Sequence, residues 1–407
     1  MNILWLSHFV PYPPKGGNLQ RSFNLIKELS KHHKVYLLSF NQAALIPDEL
    51  TLADYIKTLE NYCTIIDILP IQSEQPLLGR IPVYLKSLFS KQPFTINWLK
   101  DNKLDSIIND AATRYDIDLI HFDTISLTPY VKDRNVVNVL NHHNIESHMM
   151  LRRANIENNF LKKMYLWQEG VKLRYYEKNN LNKFNAHLTC STLDSDRLRE
   201  ISNKLEIVEI PNGVDLSYFQ PHRIDVATKD IIFVGGLSWY PNLLSVEFLI
   251  HEVWDKLKFK IQGVQLTIVG RNPPKWLTDL ADTDSSLTVT GFVDDMRPYV
   301  NKSTVFVCPI FDGGGTKLKV LDALAMGIPL IAHPAACEGI NVTDGQNVLY
   351  AEEPEEYISQ IERLFNSREL QSNMSKSGRD VIEKTYSFIS IGRKLANYYD
   401  TLCEKVG

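Results

Sequence analysis

The chain has 407 residues, enough for two or three domains, and 44% hydrophobic with 23% charged residues is the composition of a soluble globular protein. A net charge of −4, with 44 Lys and Arg spread along the chain, excludes the basic stripe of a nucleic-acid binder, so no nucleic-acid partner is expected. No run reaches the roughly 18 apolar residues of a membrane span. The five scattered cysteines, with no CxxC, read as free buried thiols in a reducing cytoplasm.

The first residues, MNILWLSHFVPYPP, lack a basic leading region and run into prolines. They are expected to form a buried first strand, Ile3–Ser7, and not a signal peptide. After the loop HFVPYPPKGGN, the stretch LQRSFNLIKELSK places Phe23, Ile26 and Leu29 near helical spacing. Val35–Phe40 is the next strand, which completes a βαβ unit of a parallel sheet. Gly16 and Gly17, at the head of the helix, allow a ligand to approach the backbone; a plain turn after Pro13 and Pro14 is the other reading. Residues 80–100, RIPVYLKSLFSKQPFTINWLK, mix bulky apolar side chains with cations. An interfacial segment would look like this, which would put the protein at the inner face of the membrane; a core-packed helix pair fits the pattern better.

Further strands are expected at Ile117–Phe122 and Val136–Leu140, and Glu146–Lys183 reads as a solvated helix pair. VEIPNGVD (208–215) is a strand ending in an Asn-Gly turn, followed by poorly patterned polar residues to 229. The α/β alternation then restarts with Ile231–Val234, Gly235 and Gly236, a helix near 242–257, strands Gln265–Val269, Leu287–Thr290 and Thr304–Cys308, a helix Thr316–Met326, and strand Pro329–Ala332. Two α/β domains follow, 1–215 and 216–385, with the last helical stretch, within 386–407, packing back on the first.

The corner DGGGTKLKVLDALAMG (312–327) joins a strand to a helix through three glycines, two lysines and an aspartate in an otherwise apolar helix. Helix N-termini carry unpaired N–H groups and partial positive charge, and glycines admit a ligand to the backbone, so such a corner can cradle phosphate. Gly315, Lys319 and Asp322 fall on one helix face. Lys319 and Asp322 are then separated by about 4.5 Å along the axis. A carboxylate there can accept paired hydrogen bonds from a ribose diol. The other reading is a flexible turn with Asp322 paired to Lys319. GxGxxG and GxxxxGK[ST] are both absent from the chain.

The run GGGTKLKVLDALAMGIPLIAHPAACEGI resembles the donor-binding segment of family 4 glycosyltransferases. PNGVD (211–215), FVGGLSWYPN (233–242), IVGRNPP (268–274) and VTGFVDDMRPYV (289–300) are similar to other segments of that family, in the right order. HNIES (143–147) and the N-terminal glycine loop resemble its polysaccharide and exopolysaccharide branch. The resemblance spans nearly the whole chain. It implies a GT-B fold, two Rossmann-like domains facing across a cleft. It also implies a retaining, metal-independent enzyme that moves a sugar from a nucleotide-diphosphate donor, its co-substrate, to a glycan or lipid-linked acceptor, with no cofactor.

Residue by residue, the resemblance puts Asp322 where the family usually has the second Glu of an E-x7-E pair, on the ribose. The first Glu is replaced by Gly314, so the backbone of Gly313, Gly314, Gly315 and Thr316 becomes the candidate contact for phosphate and sugar. The family's Arg and Lys after the FVG strand are absent, with Gly236 and Tyr240–Pro241 in their places. Lys319 is the first substitute, then Lys317, then Arg271. The GFVDD loop, with Phe292 and Val293, resembles the segment that meets the base; Asp294, Asp295 and Arg297 also read as a self-paired loop. Glu338 would face the donor, or cap a turn. In the first domain Asp123 falls where relatives place a cleft histidine, with His121 on the same strand face or buried in the core, and His143 is preferred over His142 and Glu146 as a lining residue. Asp123, His143 and Lys319 are the candidate catalytic groups. Asp282-Thr283-Asp284 is read as a loop and not a metal motif, and no metal site is expected. A nucleotide-sugar epimerase and a non-catalytic nucleotide-sugar-binding subunit remain open alternatives.

Overall fold

The computed structural model describes residues 1–14, 17–43, 45–46, 48–74, 80–221, 229–312 and 316–406. The chain divides into two compact units, Met1–Pro211 joined by Ile391–Gly407, and Asn212–Ser390.

The first unit is built on a parallel sheet of seven strands: β1 (Asn2–Ser7), β2 (Lys34–Asn41), β3 (Thr64–Pro70), β4 (Leu119–Phe122), β5 (Val137–Asn141), β6 (Ala186–Thr189) and β7 (Ile207–Glu209), in the order β3-β2-β1-β4-β5-β6-β7. Alternation along β1 sends Ile3 and Trp5 into one apolar core and Leu4 and Leu6 into another, so helices cover both faces. The helix Phe388–Val406 turns Ile391, Leu395, Tyr399 and Leu402 into the Ile3–Trp5 core. It can lie that close because Gly392 has no side chain: a Cβ there would stand 2.1 Å from the Cβ of Glu28.

The second unit carries a six-stranded parallel sheet, β8 (Asp230–Val234), β9 (Gln265–Val269), β10 (Leu287–Gly291), β11 (Val305–Cys308), β12 (Leu330–Ala332) and β13 (Leu349–Tyr350), in the order β10-β9-β8-β11-β12-β13. Ile231 and Phe233 enter one core and Ile232 the other. Each sheet has a point where the strand order reverses, between β1 and β4 and between β8 and β11. Ligands of open α/β sheets bind beyond the carboxyl ends of the strands at that point.

Three expectations change. The stretch 146–183 does form a helix pair, Glu146–Ile156 and Phe160–Asn180, but it is not simply solvated. Glu169 and Glu177 point inward and are buried, while large apolar side chains face out. In residues 80–100, Ile96 and Leu99 enter the core, yet Phe89, at the end of the helix Arg80–Phe89, is exposed. The helix expected from Thr316 begins at Leu318, because Lys317 is extended (φ −80°, ψ 97°) and serves as its N-cap residue.

Candidate functional site

At the switch point of the second unit, the turn after β8 is held close to its neighbours. Gly235 N–H donates to the Val269 carbonyl at 2.8 Å, and a Cβ on Gly270 would stand 1.9 Å from the Gly235 carbonyl oxygen. Only glycine fits there. Two cations come to this turn from different elements. Lys319, on the helix Leu318–Ala325, puts Nζ where it would be 2.4 Å from a Cβ on Gly235. The same ammonium donates to Asn242 Oδ1 at 2.5 Å and lies 4.7 Å from the centre of the Phe233 ring. Asn242 in turn donates to the Gly236 carbonyl at 2.8 Å. Arg271, after β9, runs its side chain 3.5 Å from where a Cβ on Gly236 would be.

Desolvation pulls Lys319 down to about 8, with Cys308 and Asp322 acting the other way and Lys317 acting with it. The amine is therefore charged at neutral pH but held at a cost, which a bound anion would repay. Asp322 is buried one turn further along the helix. Lys317 is buried as well, at the head of the same helix. Thr316 is buried, and its Oγ1 has no hydrogen-bond partner among the described residues. Asp312 accepts from Tyr240 Oη at 2.8 Å, which ties the β11 loop to the helix Tyr240–Phe248.

Phe292 is exposed and Val293 is half-buried against the core beyond β10, where Gly291 has φ +69°. Asp295 pairs with Arg297 at 2.7 Å, and Arg297 stacks on Tyr218 at 3.7 Å, so that part of the loop is self-paired. Glu338 follows the short turn Pro334–Cys337 beyond β12. Asp284 is used by Lys258 at 3.3 Å and by the Ser286 turn. Among the described residues no cluster of three or more His, Cys, Asp or Glu could hold a metal ion. Gly313, Gly314, Gly315 and Gly16 lie outside the described residues, while Gly17 opens the helix Gly17–Leu29.

The first unit places Asp123, fully buried, at its own switch point. Its carboxylate accepts from Ser22 Oγ at 2.8 Å and Asn141 Nδ2 at 3.0 Å, and His143 Nε2 lies 3.1 Å away. His121 Nε2 is at 3.5 Å. Burial pushes the carboxyl up, but His143 and His121 outweigh it and hold it well below the ordinary carboxylate range. Asp123 is thus ionised and saturated with donors, which suits it to orient His143 and not to take a proton. His121 stacks on Trp5 at 3.5 Å and meets Tyr399 Oη at 2.6 Å, so it is a structural group of the core. His142 meets His187 Nδ1 at 3.1 Å, and His187 Nε2 meets the Leu181 carbonyl at 3.1 Å. That chain leaves both rings neutral, with His142 donating, and burial lowers both.

Sequence reasoning missed His8, Ser22, Asn141, Arg21 and Asn242. Arg21 is buried, donating to the Pro211 carbonyl at 2.9 Å and to Asn141 Oδ1 at 3.1 Å. His8 comes directly after β1, and burial lowers it to about 4. His8 also lines a cavity of about 540 Å³ with Phe94, Trp98, Glu146, Arg153 and Tyr165. The available signal was position: polar residues at or just past a strand's carboxyl end, beside the chain reversal.

Residues 228–367, within the second unit, match the family model described as Glycosyl transferases group 1. The fold is GT-B, shared with solved glycosyltransferases. Sucrose-phosphate synthase (tll1590) from Thermosynechococcus elongatus superposes with TM-score 0.73 and 16% identity over 100% of both chains. HepE (Alr3699) from Anabaena, in complex with UDP, gives 0.67 and 14% over 98% of this chain and 100% of that one. A glycosyltransferase from Rickettsia africae ESF-5 gives 0.65 and 18% over 98% of each. In sequence, the chain is 22% identical over 244 residues to a 44.6 kDa protein in the cps region of Klebsiella pneumoniae. That match covers 58% of this chain and 59% of the relative's length.

Proposed function

We propose that the protein is a retaining glycosyltransferase that moves a sugar from a nucleoside-diphosphate donor to a glycan or lipid-linked acceptor, in the cytoplasm and in polysaccharide assembly. The observation that carries this is the convergence of Lys319 and Arg271 on Gly235–Gly236 at the switch point of the second sheet. Phosphate charge grows as the sugar's C1–O bond to the diphosphate breaks, and fixed positive groups in a partly desolvated site stabilise it. These cations stand where the motif itself has none.

Asp322 takes the ribose diol, Phe292 and Val293 flank the base, and Glu338 with the 313–316 backbone meets phosphate and sugar. As C1 bonds to the acceptor oxygen, the acceptor proton passes to the departing phosphate oxygen, on the same face. Asp123 keeps His143 oriented toward the acceptor, which occupies the cavity beside His8. With two side-chain cations available, no metal is needed. The cps-region relative and the UDP complex of HepE support the setting and donor class, UDP first.

The test is transfer of labelled sugar from UDP-, GDP-, ADP- and dTDP-linked donors to glycan and polyprenyl-phosphate-linked acceptors, with and without EDTA. Transfer from one donor, unchanged by EDTA, is expected. Isomerisation of the donor without acceptor, or loss of transfer on chelation, would contradict the reading.

A further inference from the structure

The helix Phe160–Asn180 has two apolar faces. One, through Leu166, Gly170 and Leu173, packs on the protein. The other carries Phe160, Met164, Trp167, Val171 and Tyr175, spaced four, three, four and four residues apart, a single stripe along the outside. Phe160 is 74% exposed, Trp167 57% and Tyr175 66%, so the stripe has no cover among the described residues. Phe89, 86% exposed, extends it, because Gln168 and Lys172 donate to the Leu88 carbonyl at 3.1 and 3.2 Å and draw the end of the 80–89 helix alongside.

The charges around the stripe are mostly positive, the exposed Glu200 being paired with Arg174 at 3.9 Å. Lys163 and Arg174 flank it on one side, and Lys178 continues its line. Both acidic residues of the helix, Glu169 and Glu177, are buried on the inner face. The next acid outward, Glu157, is paired with Lys162 at 2.5 Å. Lys163 and Lys178 have no ion pair among the described residues. A second copy of the chain docked face to face would oppose like charges. An apolar stripe containing Trp and Tyr, whose nearest exposed acid, Glu200, is already paired with Arg174 and which leaves Lys163 and Lys178 uncompensated, is complementary to a surface that is oily below and anionic above.

We infer that the outer face of the Phe160–Asn180 helix docks the protein on an anionic lipid bilayer, with Trp167 and Phe160 in the acyl–headgroup boundary. No helix among the described residues is long and apolar enough to cross a membrane, so the attachment is peripheral. Lys162, Tyr165 and Glu169, on the opposite side of the same helix, line the cavity beside His8. A lipid-borne acceptor at the bilayer surface is then about one helix diameter, roughly 10 Å, from that cavity.

The experiment is co-sedimentation of the full chain with vesicles of phosphatidylglycerol and phosphatidylcholine, against pure phosphatidylcholine. Binding to the anionic vesicles is expected, weakened at least about tenfold by the double variant Trp167→Glu, Val171→Glu and, separately, by Lys163→Glu, Lys178→Glu. Trp167→Phe should still bind but lose part of the tryptophan quenching by brominated lipid. No vesicle binding, binding that neither double variant weakens, or a dimer that the apolar variant dissolves without any lipid effect would overturn the inference. The nucleotide site is read apart from this: UDP should raise the melting temperature of wild type and both double variants equally, so vesicle binding can fail while the donor site stands.

Discussion

Lys319 is the residue on which the donor site turns. Its ammonium is held by one amide oxygen and an aromatic face, with no carboxylate at bonding distance among the described residues, and desolvation lowers it to about 8. A diphosphate would raise it again, so between about 8 and the bound-state value, binding takes up a proton. Affinity for UDP is expected to fall with rising pH, about fivefold from pH 8 to pH 9. Lys319→Met should bind more weakly at neutral pH and lose this slope, measured by titration calorimetry across the range. Turnover of Lys319→Ala should drop by about two orders of magnitude or more; activity within a few-fold of wild type would remove Lys319 from the assignment. The sequence pointed to Lys319 through helix periodicity. It could not show Arg271 lying over Gly236, because that contact depends on β9 pairing with β8 and on a side chain crossing between loops. Asp123 was legible as a position past a strand end, but its partners Ser22 and Asn141 come from helix and strand 101 and 18 residues away.

Among the elements, the helix pair of the first unit departs most from its reading. Its long member is apolar on two faces, so its residues do not sort into one inner stripe and one polar stripe, and the pattern reads as a solvated helix. Glu177 accepts from Ser147 N–H at 3.1 Å and from its hydroxyl, yet burial pushes it up to about 7. Burial, with Glu177 next, pushes Glu146 to about 7 as well. A carboxyl raised in the folded state binds more protons than in the unfolded chain, so its contribution is present below the unfolded value and lost as pH rises through about 7. Glu177→Gln is therefore expected to gain a few degrees of melting temperature relative to wild type between pH 5 and pH 8. A difference that stays flat across that range would show that Glu177 ionises freely. Ten of the thirteen strands were legible, since a parallel sheet covered on both faces leaves short, nearly continuous apolar runs, while β3, with Asp67 inside it, β6, with His187 inside it, and the two-residue β13 were not. The helix start at Leu318 was not, because Thr316 and Lys317 are buried and Lys317 is extended, which no local preference announces.

At the scale of the molecule, the C-terminal helix ties the end of the chain to the first unit. Gly392 against Glu28 sets how closely it lies, and Gly392→Ala should cost about 1–3 kcal/mol in denaturant unfolding of that unit. An unchanged unfolding midpoint would mean that the helix docks more loosely than this contact implies. The two units repeat one arrangement: a parallel sheet, a reversal of strand order, and chemistry at the carboxyl ends beside that reversal. In the first it is an ionised aspartate among histidines, in the second two cations on a glycine turn with a carboxylate beyond. The central claim is that the second arrangement grips a nucleoside diphosphate. Its most direct test is a thermal shift with UDP, GDP, ADP, dTDP and CMP on wild type and Asp322→Ala. One diphosphate should stabilise wild type by about 2.7 kcal/mol at a hundred times its dissociation constant, and should leave Asp322→Ala unmoved at that concentration. No shift with any of them, or an equal shift in the variant, would contradict the account.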